Sequence, residues 1–183
     1  MKQKILDVAA KLILQYGLKK FTVDEIASEL RISKKTIYQY FNSKDDIIRE
    51  YFEVSIATDK DSMTSVVAGN KDFSYKIHAI VYSSHRYRLP VSLLMEAKQF
   101  YPEVWSKIEE LKQFKLNATK KLLEQGVKEG IIKSEMHFGV LSKMIEKISD
   151  MFTDYDFLLE NKLNTREAID EALKIIFNGI LKI

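Results

Sequence analysis

The sequence predicts an all-α protein: an N-terminal three-helix domain of helix-turn-helix type, then a larger helical domain, about nine helices in all. Three observations predict it. The 183 residues include only two prolines and six glycines, so little interrupts long helices. Hydrophobic residues make up 46% of the chain, enough for a real core, and they recur at three- and four-residue spacing over most of its length. Finally, residues 22–44 read TVDEIASELRISKKTIYQYFNSK, which has the pattern of two short helices across a tight turn.

The N-terminal elements follow in order. Ile5, Val8, Ala9, Leu12 and Ile13 form a helical stripe, predicting a helix over residues 2–16 with Gly17 as its stop. Phe21 stands where a hydrophobic staple would pack, and Thr22 with Glu25 makes a capping box for a helix carrying Val23, Ile26, Ala27 and Leu30. Arg31-Ile32 is the break. Ser33 can cap the next helix, on which Ile37 and Phe41 are four apart and point inward. At 100° per residue, Lys35, Thr36 and Gln39 then point outward, with Tyr38 and Tyr40 on the flanks. Lys34 and Lys35 stand at the end that a recognition helix inserts deepest into a major groove. Lysine can donate to guanine O6/N7, glutamine can pair with adenine, and a threonine methyl can touch thymine. Tyrosine hydroxyls can reach phosphates.

Charge agrees with this reading. Residues 1–50 hold ten Lys/Arg against seven Asp/Glu, whereas residues 51–183 hold nineteen of each, so the whole +3 excess lies in the N-terminal segment. A solvated polar face on a small core is the plainer alternative. Spacing, caps and charge together favour DNA.

On these residues the chain resembles TetR-type transcriptional regulators over residues 5–48: ILDVAAKLILQYG, then FTVDEIA, then ISKKTIYQYFNSKDDII. The resemblance implies that Thr22, Tyr40 and Lys44 contact phosphates, and that Lys34, Lys35, Thr36, Tyr38 and Gln39 lie at or near bases. It also implies a homodimer, formed through the last two helices, on a near-palindromic double-stranded operator. Two departures stand out: Arg31 occupies a turn position where the family usually has glycine, and Asn42 one where proline is common. If the turn is left-handed at Arg31, the side chain there costs about 1 kcal/mol.

Beyond the head, Ser43-Lys44-Asp45-Asp46 starts a longer helix to about residue 60, and the polar stretch 58–72 marks a boundary. The expected domains are thus 1–60 for DNA binding and 61–183 for ligand binding and dimerisation. In the body, helices are expected over Phe73–Leu89, Val91–Tyr101, a long one from Pro102 closed by Gly130, Phe138 to about Glu160, and one capped by Thr165 running to Leu181. The last two carry apolar faces broader than a surface helix needs.

The body is rich in large, soft side chains. Tyr82, Met95, Phe100, Tyr101, Trp105, Phe114, Met144, Met151 and Tyr155, with His85 and Arg86 nearby, are candidates to line a pocket for a small, largely apolar ligand. A packed core is the competing reading for the same stripe. Regulation by a protein partner, with no pocket, is the alternative function. No metal site is expected: His78 and His85 lie about 10 Å apart along one helix, and His137 is distant. There is no HExxH, GxSxG or glycine-rich phosphate loop, so neither enzyme nor cofactor is expected. Cysteine is absent, which fits a cytoplasmic protein. Neither a signal peptide nor a membrane span is read at the N-terminus, because Asp7 and Lys11 interrupt its apolar run.

Overall fold

The computed structural model describes residues 1–82 and 86–181. Ten helices are found among them: α1 (Lys2–Lys20), α2 (Val23–Leu30), α3 (Lys34–Tyr38), α4 (Lys44–Ala68), α5 (Phe73–Val81), α6 (Val91–Phe100), α7 (Pro102–Lys128), α8 (Phe138–Met151), α9 (Tyr155–Glu160) and α10 (Thr165–Ile180). The described residues form no strand beyond one isolated bridge between Ile132 and Leu181. None of their helices is long and apolar enough to cross a membrane.

The chain divides into two compact units. The first comprises Met1–Asp59 with His85–Ile108. Its core gathers Ile5, Ile13, Phe21, Ile26, Ile37, Phe52 and their neighbours. α6 packs on α1 within it. The second comprises Lys60–Ser84 with Glu109–Ile183, around Ile77, Ile80, Leu123, Ile132 and Leu173. In that unit Gly126 permits close packing inside α7, since a Cβ there would come within 2.8 Å of the Phe73 ring.

Several elements differ from the sequence-based expectations. Gly17 (φ 80°, ψ 177°) kinks α1 rather than ending it, and a helical turn resumes to Lys20. α4 runs on to Ala68 through the stretch expected to be a boundary loop. Ile56 and Met63, seven apart, are buried there, and the hydroxyls of Thr58 and Thr64 bond back to the carbonyls of Val54 and Lys60. Polar residues that satisfy themselves on the helix are compatible with it. α5 stops at Val81 instead of Leu89, with Tyr82 already extended (ψ 120°).

The expected helix from Phe138 to Glu160 is two. Phe152 ends α8, and Asp154 accepts from the Phe157 N–H to begin α9. Aspartate competes with the helix interior by capping, and here the cap prevails. α10 is capped by Asn164, not Thr165, in a full capping box with Glu167.

Candidate nucleic-acid interface

The head is built on two caps and one unusual turn. Thr22 Oγ1 accepts from the Glu25 N–H at 3.2 Å, while Glu25 Oε2 accepts from the Thr22 N–H at 2.7 Å, which starts α2 as the sequence predicts. α2 ends at Arg31, which is left-handed (φ 53°, ψ 44°), and the Arg31 N–H reaches back to the carbonyls of Ala27 and Ser28. This is the conformation glycine ordinarily supplies at a helix C-terminus, so the Arg31 Cβ is held at a steric cost of about 1 kcal/mol. Ser33 then caps α3 through the Thr36 N–H at 3.1 Å.

α3 ends at Tyr38, so Phe41, expected on this helix, lies beyond it, but the segment from Lys34 to Phe41 is sharply divided. Ile37 and Phe41 are buried, while Lys34, Lys35, Tyr38, Gln39 and Tyr40 are exposed. Thr36, expected to point outward, is half-buried, and its hydroxyl lies 3.0 Å from Ser33 Oγ. Gln39 sits one residue beyond the helix, as its C-cap. Two cations are engaged within the protein. Lys34 Nζ is 2.8 Å from Asp24 Oδ1, and this hydrogen bond raises its pKa above the ordinary lysine value. Lys44 Nζ donates to the Lys19 carbonyl at 2.6 Å and sits over the Phe21 ring. Partial burial lowers its pKa against the pull of Asp45, Glu25 and Glu96. Lys35 has no such tie to an acid among the described residues and stands open to solvent. Asp24 as a rival for Lys34, and Lys19 as a partner for Lys44, have no local signature in the sequence.

Residues 5–51, which span α1 to the start of α4, match the family model for bacterial regulatory proteins of the tetR family. Those residues form a regulatory domain of the tetR type. The chain is 25% identical to the fatty acid metabolism regulator protein of Bacillus subtilis over 98% of each chain. Among solved structures, it resembles a transcriptional regulator from Saccharomonospora viridis in complex with choline: 17% identity, 100% of this chain and 98% of that one, TM-score 0.76. It also resembles the regulator FadR from Bacillus subtilis in complex with stearoyl-CoA, at 21% identity over 98% and 99% of the two chains, TM-score 0.63. The all-α fold and the DNA-binding, transcription-regulating character expected from the sequence are thereby established.

The residues expected to line a pocket fall in both units, and His85 lies outside the described residues. In the first unit, Tyr101 is buried with its hydroxyl 2.9 Å from Asp45 Oδ1; burial and this bond raise its pKa. Phe100 lies beneath Lys19, Trp105 beneath Lys98, and Arg86 is 3.8 Å from Asp7, while Met95 is exposed. In the second unit, the Tyr82 hydroxyl donates to Asp170 and its ring stacks on His78. Phe114, Met144 and Tyr155 are exposed, and Met151 is half-buried. An open groove of about 480 Å³ in this unit is lined by Asp72, Phe73, Ser74, Gly130, Ile131 and Leu181, none of them on the expected set. No cluster of three or more metal-ligating side chains occurs among the described residues.

Proposed function

We propose that this protein is a TetR-family regulator acting as a homodimeric repressor, which inserts two copies of α3 into successive major grooves of a near-palindromic operator. A small, largely apolar ligand would release it. The division of α3 and the turn after it carries the proposal: Ile37 and Phe41 are buried, while Lys35, Tyr38, Gln39 and Tyr40 are exposed. In this reading Lys34, Lys35, Thr36, Tyr38 and Gln39 meet base edges, and Thr22, Tyr40 and Lys44 meet phosphates. Residues 1–60 serve DNA, and residues 61–183 serve ligand binding and dimerisation. No catalytic step is part of the mechanism.

The dimer is supported by large aliphatic side chains left in solvent on the last helices. Val140 and Met144 are four apart on α8, Leu159 follows on α9, and Ile175 on α10 is 71% exposed. A two-fold pairing through these helices would fix the spacing of the two heads at about 34 Å, one turn of DNA. A ligand that favours another spacing would then lower affinity.

The acyl chain is the first ligand class to try, given the full-length match to a fatty acid metabolism regulator and the fold shared with a stearoyl-CoA complex. A second reading, control by a protein partner without a pocket, draws support from the solvent exposure of Phe114, Met144 and Tyr155. Thermal shift and DNA release with long-chain acyl-CoA and with choline separate the two. A raised midpoint together with DNA release supports ligand control. If neither compound moves the midpoint or the DNA, control by these ligand classes is ruled out and the second reading gains.

A further inference from the structure

The joint between α1 and the helix-turn-helix is held by α6. Gly17 adopts φ 80° and ψ 177°, which swings the next peptide out of the helical ladder. The Leu18 N–H freed in this way donates to Glu96 Oε2 at 2.9 Å. The other carboxylate oxygen fills the place of a side chain on Gly17: a Cβ there would lie 2.6 Å from Glu96 Oε1. One turn further along α6, Phe100 carries Lys19 Nζ over its ring at 3.3 Å. From the other side Lys44 donates to the Lys19 carbonyl. Residues 17–19 are therefore gripped by two α6 side chains four residues apart on one helix face, just ahead of the Thr22 cap.

We infer that Glu96 is a positioning residue for DNA binding: its carboxylate, seated in the Gly17 kink, sets the orientation of the helix-turn-helix on α1. The inference rests on the DNA-binding assignment of the head. The sign of the effect separates positioning from charge. Deleting an acid from a DNA-binding unit should by electrostatics tighten DNA. Loss of a positioning group should weaken operator binding despite that.

The test uses the full chain and a site selected with it from random duplex DNA. Dissociation constants for that site and for a scrambled duplex are measured at low temperature, with the active fraction counted by stoichiometric titration. Glu96→Ala should weaken the selected site by about tenfold, leave scrambled DNA unchanged or tighter, and keep the salt slope, since no phosphate contact is lost. Glu96→Gln retains an acceptor oxygen and should return operator affinity to within about threefold of wild type. Unchanged operator affinity in Glu96→Ala, or equal losses on both DNAs, would overturn the inference alone. Failure of the wild-type chain to enrich any site would overturn the DNA-binding assignment and the inference with it.

Discussion

α3 and the α8–α10 helices both carry side chains that the described residues of this chain leave in solvent, and the two sets are chemically opposite. On α3 the exposed groups are ammonium, amide and phenol. On α8 to α10 they are Val140, Met144, Leu159 and Ile175. A cationic, hydrogen-bonding face suits a polyanion, from which salt can detach it by restoring counterions. An aliphatic face gains by leaving water altogether, at about 25 cal/mol per Å² buried, and is little affected by salt. The difference teaches that the proposed dimer contact is the durable one and the DNA contact the reversible one, as a regulator requires.

The strongest way to break this contrast is to make the aliphatic face polar. Met144→Glu combined with Ile175→Glu should convert dimer to monomer in analytical ultracentrifugation. It should also lower operator affinity by roughly 100-fold or more, with helix content unchanged by circular dichroism. A variant that stays dimeric would move the interface elsewhere. Next comes the polar face itself. Lys35→Ala should lose roughly 1–3 kcal/mol of discrimination between operator and scrambled DNA. Equal losses on both would remove Lys35 from base reading. Lys44→Ala is less clean, because it deletes the hydrogen bond to the Lys19 carbonyl along with a charge.

A smaller effect lies in the turn that sets α3. Arg31→Gly should raise unfolding free energy by about 1 kcal/mol in urea titration, because glycine adopts φ 53° without a Cβ penalty. A loss of stability would mean that the Arg31 side chain contributes more than its backbone costs. The smallest change is Asp24→Asn, which frees Lys34 from its exposed ion pair. DNA affinity should rise by at most about fivefold at low salt, since a solvated surface pair holds its partners only weakly, and the gain should vanish at high salt.

Legibility in the sequence followed the range of each interaction. The Thr22–Glu25 box and the Ser33 cap join residues three apart, and both stand as read. Ile37 points inward on the helical period of α3, and Phe41, beyond the end of the helix, is buried beside it with its N–H still donating to the Ile37 carbonyl at 3.1 Å. Errors arose where two local signals competed. Asn164 and Thr165 can both cap, and only the partner three residues on, Glu167, selects Asn164. The polar run after residue 57 looked like a loop because hydroxyls that bond to their own helix carbonyls are indistinguishable by composition from loop residues.

By itself, then, the sequence determined the two helices of the helix-turn-helix, their Thr22 and Ser33 caps and the polarity of α3, because these depend on residues within one or two turns of each other. Tertiary structure alone decided how the head is held. Glu96 reaches Leu18 across 78 positions, Tyr87 reaches Asp7 across 80, and Lys44 reaches Lys19 across 25. Such contacts leave no periodic trace, since which side chains meet is set by how whole helices pack, and packing joins distant stretches without regard to their order.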